Sequence, residues 1–444
     1  MTAATTAAMT AALIKDHPWV GHVEVRDGTV FVHPAAGLTG LRPEPGPLLE
    51  EFLTNWAEIY DWVYGSGDAT AADDLDFSGW RASDTGKPLP VEHMTEWLDR
   101  TVELVLRGEP RTVLELGSGS GLLLQRLHPH LVGYVGTDVS ETSVARLSGM
   151  RLPRTVVVPA AAHEITAGTV RDALEAVVGP GAAPDCVLLN SVTQHFPDTA
   201  YLRAVLEAAI GAVRAGGTVV VGDIRHAGLL RDHHRWLAAA DVTDSSADLE
   251  RRVTARAEAE EEFLADPRLL ASIAAGHPRP VSVSLHAKTL RDDTELTRYR
   301  YDAVLHVEPT AVPEAVPVSW TDIPGPARLA GLRHRLDLEP RLFVTGIPNA
   351  LLTAGPTAVT AFDVREAVAG TGALVGIDVT DPTLLTVGSP STASRPPAAT
   401  IASYDITLAH EPLARFVERR LHQALGDQLR RAGAGLTDIR VVRP

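Results

Sequence analysis

The run Val113-Leu114-Glu115-Leu116-Gly117-Ser118-Gly119-Ser120-Gly121 constrains this chain more than any other stretch. A short apolar strand runs into a turn in which every second residue is glycine. Glycine tolerates positive φ and lets a ligand lie against bare backbone. A helical pattern, Gly121–His128, follows. The turn therefore reads as the first crossover of a doubly wound sheet, where nucleotide-like ligands sit at the carboxyl ends of the strands. A dinucleotide fingerprint would be spaced G-x-G-x-x-G, with a pyrophosphate on the helix N-terminus. Here the spacing is G-x-G-x-G, and Glu115 stands two positions before the first glycine. An acid at that point repels a pyrophosphate and suits the ammonium of a methionine moiety.

The next strand pattern, Tyr134-Val135-Gly136-Thr137-Asp138, ends on a carboxylate placed to accept hydrogen bonds from two ribose hydroxyls. Together the two strand ends predict S-adenosylmethionine as cofactor. Its expected binding residues are Glu115, Gly117, Ser118, Gly119, Gly121, Asp138 and Val139. The same spacing argues against a hydride-transferring dehydrogenase.

Around this motif the 444 residues divide into three zones. Met1 to Pro47 carries two short strand patterns around Asp27-Gly28 and ends in a linker-like stretch, Gly40–Pro47. Leu48 to Val307 alternates strand and amphipathic helix patterns, which imply right-handed crossovers and a parallel sheet. Within it, the acidic run Glu258–Glu262 reads as a solvated helix face. From Glu308 onward a Pro-rich stretch opens a mixed α/β region, which includes a flexible stretch, Gly388–Pro397, and closes with a helix pattern, Leu413–Arg431.

A formal net charge of −16 repels phosphate backbones and anionic lipid heads, so neither nucleic acid nor a membrane is an expected partner. One cysteine excludes an internal disulfide framework and a multi-Cys zinc site. No run approaches the roughly 20 apolar residues of a membrane span. The start has no basic residue ahead of its mild apolar stretch, so it does not read as a secretory signal. A soluble, cytoplasmic protein is expected.

Trp56–His306 closely resembles the methyltransferase domains embedded in nonribosomal peptide synthetases, mostly N-methylating ones. The matching runs include Trp56-x-x-x-Tyr60-Asp61, Gly79-Trp80-x-x-Ser83-x-Thr85-Gly86-x-Pro88-x-Pro90, Val113–Leu124 and Leu189-Asn190-Ser191-Val192-x-Gln194-x-Phe196-Pro197. They continue with Val221-Gly222-Asp223-Ile224-Arg225, Glu262-Phe263-Leu264-x-Asp266-Pro267 and Glu295-Leu296-Thr297-Arg298-Tyr299-Arg300-Tyr301-Asp302. Val344–Ala350 and Asp381-Pro382 are similar to the same domains' carboxyl half. Three positions depart from that pattern. Ser118 stands where the family usually has Cys, His195 where it has Tyr, and Thr294 where it has Asn.

The resemblance implies an α/β fold: a doubly wound, Rossmann-like class I methyltransferase core with an N-terminal helical lid and an additional C-terminal α/β part. Met1–Pro47 also resembles the small carboxyl-terminal subdomain of adenylation domains. The last helix would be its other half, so the two segments are expected to pack together as a remnant of that frame.

Asn190 and Ser191 end a strand at the cofactor edge of the sheet and can reach the methionine end. The resemblance places Trp80 and Tyr60 beside the cofactor as well. His195 follows in the mouth of the sheet and is the candidate proton acceptor, expected to titrate near pH 6–7.5. Arg225 is a candidate for holding a substrate carboxylate or thioester oxygen, with His226 beside it. Glu295, Arg298 and Arg300 alternate with Tyr299 and Tyr301 on an expected strand, which either lines a cavity or has one wet and one buried face. Glu295 and His226 are the further catalytic candidates, as alternative proton acceptors. His233-His234 reads as a surface helix feature, and no metal is expected.

These residues point to a free-standing S-adenosylmethionine-dependent methyltransferase of natural-product biosynthesis. Its expected acceptor is the amine of an amino-acid-like unit, free or tethered to a carrier protein. The alternatives are an O-methyltransferase on a hydroxyl or carboxylate of a small metabolite, and a catalytically inactive scaffold that docks a carrier protein. Oligomeric state is not legible.

Overall fold

The computed structural model describes residues 3–42, 44–65, 75–77, 79–239, 246–310, 315–325, 327–389, 408–434 and 438–442. After a first helix, Ala3–Ile14, strands β1 (Val20–Arg26) and β2 (Thr29–Pro34) pair as a hairpin. Its turn residues, Asp27 and Gly28, have φ of 48° and 77°. Positive φ at both positions is what a two-residue turn matching the strands' twist requires. A long helix, Pro47–Gly65, and a second, Val91–Leu106, lead to the core.

Strands β3 (Thr112–Leu116), β4 (Gly133–Asp138), β5 (Thr155–Pro159), β6 (Cys186–Asn190) and β7 (Thr218–Arg225) are parallel to their neighbours. After the two-residue β8 (Leu264–Ala265) come β9 (Val281–Ala287) and β10 (Arg300–Val307). Both join the same sheet antiparallel, giving the order β5-β4-β3-β6-β7-β10-β9. β3, β4 and β6 are buried along their whole length. That matches the near-continuous apolar reading of strands covered on both faces. One face packs Leu114, Leu116, Leu189 and Val221 against Val205, Leu206 and Ile210. The other packs Val113, Leu188 and Val220 against Met94, Trp97 and Leu98. Strand order reverses between β3 and β6, and the crevice at their carboxyl ends is where a doubly wound sheet binds ligands.

The chain after Glu308 goes to two places. β11 (Val316–Ser319), β12 (Leu342–Pro348), β13 (Leu374–Ile377) and β14 (Leu384–Gly388) form a four-stranded sheet, order β11-β12-β14-β13, with its own core around Trp320, Leu332, Val344 and Val364. Then β15 (Ala409–His410) pairs with β8, and β16 (Ile439–Val441) pairs parallel with β2. Between them the helix Pro412–Arg431 buries Phe416, Leu421, Leu425 and Leu429 in one cluster with Val30, Val32, Leu49 and Phe52. The two ends of the chain thus meet. Phe52 and Phe416 sit edge to face with centroids 5.4 Å apart, a geometry that adds about 0.5–1.5 kcal/mol to their burial.

Two local expectations are corrected. Glu295–Tyr299 forms a short helix capped by Thr294 before β10 begins at Arg300, so the expected alternation does not hold across Arg298. Arg298 turns outward to Asp293 instead. The acidic stretch is helical over Ser246–Ala259, but Glu260 and Glu262 leave that helix and turn inward. Residues 390–397 of the stretch Gly388–Pro397 lie outside the described residues.

Candidate active site

A cavity of about 540 Å³ opens at the carboxyl ends of β3, β4, β6 and β7, within the usual range for small-molecule sites. Its cofactor side is built mostly from backbone. Gly117 and Gly119 have φ of 80° and 51°. A Cβ on Gly119 would stand 2.8 Å from the Tyr64 hydroxyl, and one on Gly117 would stand 2.5 Å from Val192. Asp138 locks the two strand ends together: one carboxylate oxygen accepts from Gly119 N at 2.7 Å and the other from Ser140 N at 2.9 Å. Burial raises its pKa, and those backbone donors oppose the shift.

Glu115 is wholly buried and accepts a hydrogen bond from the Tyr134 hydroxyl. Desolvation pushes its carboxyl up to about 8 despite that bond. A buried acid in this state gains most from a cation beside it. Ser118, Val139, Asn190, Ser191, Trp80 and Tyr60 line the same cavity. Gly121 does not; it serves packing, because its missing Cβ makes room for Leu147.

The far side is charged. Arg225 donates to Glu262 at 2.6 Å, to Glu260 at 2.9 Å, and lies 3.1 Å from His233 Nδ1. It is therefore already paired and has no free fork for a substrate carboxylate. Arg300 donates to Asp223 at 2.6 Å. Asp223 also accepts from Ser191 Oγ at 2.7 Å and Trp97 Nε1 at 3.2 Å, and Lys288 lies 3.4 Å away. Burial alone would raise Asp223, but Arg300 and Lys288 bring it down to about 2. Asp223 and Ser191 both have positive φ, 62° and 56°, next to a register shift between Tyr301 and Ala303 on β10. Backbone strain of this kind costs on the order of 1–3 kcal/mol per residue and clusters at functional sites.

His195 lines the cavity, and its Nε2 lies 2.7 Å from the Tyr60 hydroxyl, with the Trp56 ring inclined at 49° and its centroid 4.3 Å away. Desolvation pushes it down to about 4. Its Nδ1 is buried without a hydrogen-bond partner among the described residues. Burial therefore moves the ionisation of His195 below the range of pH 6–7.5 expected from the sequence. His226 is also corrected. Successive residues on a strand face opposite ways, so Arg225 reaches the cavity while His226 packs on Tyr301 and caps Gly228.

Glu295 lines the cavity as expected, accepting from Ser83 N at 3.1 Å. His233 and His234 are buried cavity residues, and with Glu260 they form a three-residue group of metal-ligand type. The Arg225 guanidinium already donates to Glu260 and contacts His233, so a cation would meet a fixed positive charge there. Gln194, Glu260, Glu262 and Leu237 also line the site. Sequence reasoning had given none of these four a site role, although Gln194 and Glu262 stand inside motifs that carried the resemblance.

S-adenosylmethionine fits this arrangement: a glycine cradle, a ribose-type carboxylate at the second strand end, and a buried acid that a cation would ionise. Residues 114–219 match the family model described as a methyltransferase domain. The chain is 36% identical over 333 residues to a protein of Salinispora arenicola described as a probable nonribosomal peptide synthetase, covering 72% of this chain and 4% of that one. It is 32% identical over 327 residues to the chondramide synthase of Chondromyces crocatus, covering 70% and 8%. The chain thus spans less than a tenth of the length of these relatives. Among solved structures it aligns with the N-methyltransferase NodS of Bradyrhizobium japonicum at 12% identity and a TM-score of 0.33, over 57% of this chain and 98% of that one. No helix among the described residues is long and apolar enough to cross a membrane.

Proposed function

We propose, for a chain that carries an S-adenosylmethionine-dependent methyltransferase domain similar to segments of nonribosomal peptide synthetases, that it N-methylates the α-amine of an aminoacyl unit held as a thioester. The observation that carries this reading is the charge of the cavity. Six carboxylates line it (Asp76, Glu115, Asp138, Glu260, Glu262 and Glu295) against three guanidiniums, Arg81, Arg225 and Arg300. The two buried guanidiniums are already paired, Arg225 with Glu260 and Glu262 and Arg300 with Asp223, while Arg81 is exposed and donates to Gly86 O. A substrate carboxylate on the buried wall would find both cations already neutralised, and burying an unpaired charge costs several kcal/mol. An amine beside a neutral thioester carbonyl meets no such penalty. A hydroxyl acceptor would need a strong base during the step, and an imidazole held at about 4 is not one.

Bound S-adenosylmethionine supplies an electrophilic methyl group. Asp138 would hold its ribose hydroxyls and Glu115 its ammonium. The protein's remaining tasks are to align the acceptor nitrogen, exclude water and receive a proton. Trp56, Tyr60 and Tyr64, spaced four residues apart on the helix Pro47–Gly65, close the cavity above the glycine turn and the His195 loop.

The test offers the full chain S-adenosylmethionine with the N-acetylcysteamine thioesters of alanine and of lactate, and with free alanine, and identifies products by mass spectrometry. N-methylalanyl thioester should form, with the lactyl thioester and free alanine turned over at least about tenfold more slowly. Methylation of the lactyl hydroxyl or of a carboxylate would overturn the reading. So would tight S-adenosylhomocysteine binding without turnover of any acceptor, which would indicate a scaffold.

A further inference from the structure

His195 is buried against Tyr60 and Trp56, whereas the acceptor side also contains a more open carboxylate. We infer that Glu262 is the catalytic group that binds the acceptor's ammonium and removes its proton. This rests on the N-methylation reading above and names the residue that would serve it.

Glu262 is the most open of the three carboxylates on the acceptor wall. Its side chain is 31% exposed, against 10% for Glu260 and 8% for Glu295. Arg225 binds it through Oε2 alone, so Oε1 has no side-chain partner among the described residues. Its place is set by the strap that carries it. Glu260 Oε1 accepts from Glu262 N at 3.1 Å, and Phe263 N donates to Gln194 O at 2.8 Å. The strap continues into β8, which β15 clamps from outside, and His410 Nε2 lies 3.0 Å from Glu260 O. The carboxylate is therefore fixed by backbone on one side and by a buried arginine on the other. This is the preorganisation a proton acceptor needs.

The groups within electrostatic reach of it are Tyr60 on the helix Pro47–Gly65, His195 in the loop after β6, Arg225 on β7 and Arg300 on β10. Burial holds Tyr60 above the ordinary phenol range and lowers His195, so at neutral pH both are uncharged beside the Glu262 carboxylate. In the step, an N–H proton passes from the acceptor ammonium to Oε1 of Glu262. The bonding pair stays on nitrogen as the lone pair that takes the methyl group. Arg225 meanwhile keeps Oε2 in place and balances Glu260.

Glu262→Gln preserves the side chain's size and its oxygen toward Arg225, and removes the basic charge. With the alanyl thioester at pH 7, kcat/KM should fall by about 10²–10⁴ while S-adenosylhomocysteine affinity changes less than about threefold. The deficit should shrink as pH rises from 7 to 9, because more of the acceptor then arrives as free amine. A merely structural residue would give a pH-independent loss. Glu262→Asp should retain part of the rate.

Calorimetry on the S-adenosylhomocysteine-loaded chain gives a readout without turnover. Alanyl thioester binding at pH 6 should weaken at least about tenfold in Glu262→Gln. Unchanged kcat/KM with an unchanged pH profile, or unchanged ammonium binding, would overturn the assignment while leaving N-methylation intact. Failure of the parent chain to N-methylate the thioester would instead overturn the reading it rests on.

Discussion

The two halves of the cavity are made differently. The cofactor half comes from one short span, Glu115 to Ser140, and its key geometry is backbone: glycines at positive φ and a carboxylate bonded to two amides. The acceptor half collects side chains from seven distant places: the helix Pro47–Gly65, the loop after β6, the end of β7, the helix Leu230–Ala238, the strap before β8, the short helix Glu295–Tyr299 and the start of β10. It is held by buried charges rather than by backbone. A site made of backbone survives most side-chain changes, whereas a site made of ion pairs depends on every partner.

The strongest way to break this contrast is Asp223→Ala. It leaves Lys288 and Arg300 buried beneath the acceptor half with one carboxylate fewer. Removing one partner from such a cluster costs about 3–5 kcal/mol, which should appear as a large drop in the urea midpoint. An unfolding free energy within about 0.5 kcal/mol of the parent's would mean that the acceptor half does not rest on this network.

Asp138→Ala probes the other half. Loss of hydrogen bonds from a charged acceptor should weaken S-adenosylhomocysteine by about 1.5–3 kcal/mol in calorimetry. The Michaelis constant for the acceptor should stay nearly constant at saturating cofactor. Equal losses on both sides would show that the halves are not separable.

The smallest effect sharpens the comparison by pH. Glu115 is pushed to about 8 in the folded chain, above its unfolded value, so its protonation supports the fold at low pH. That support is lost as pH rises from the ordinary carboxyl range through about 8. A bound cation should draw the proton off, so parent affinity for S-adenosylhomocysteine should climb about tenfold per unit between pH 6 and 7.5. Glu115→Gln should bind more weakly and lack that slope. A flat parent profile would mean that Glu115 does not face the ammonium.

The same contrast explains what was legible. Glu115, Gly117, Gly119 and Asp138 stand within one crossover, so period-2 strands and glycine spacing place them relative to one another before any tertiary contact forms. Gly121 belongs to the same motif yet packs on Leu147, because glycine spacing alone does not separate a ligand's needs from a neighbour's. Glu258–Glu262 reads as a solvated helix face by composition. Its inward turn at Glu260 requires Arg225, which local patterning cannot supply. His195 lies in the mouth of the sheet, but its burial against Trp56 and Tyr60 lowers its basicity, and a residue's own chemistry does not carry that burial.

By itself the sequence determined the doubly wound sheet and the cofactor, since both follow from periodicities and glycine geometry over a few tens of residues. The packing of Met1–Pro47 on the last helix is expected only from a resemblance, and the tertiary structure puts Val30 and Val32 in one cluster with Leu421 and Leu425. Tertiary structure alone decided the protonation of Glu115 and His195, the pairing of Arg225, and the standing of Glu262 as an open carboxylate. The reason is physical. Burial and charge pairing depend on groups brought from distant parts of the chain, and a pKa or a free lone pair is a property of that assembled environment rather than of the residue that carries it.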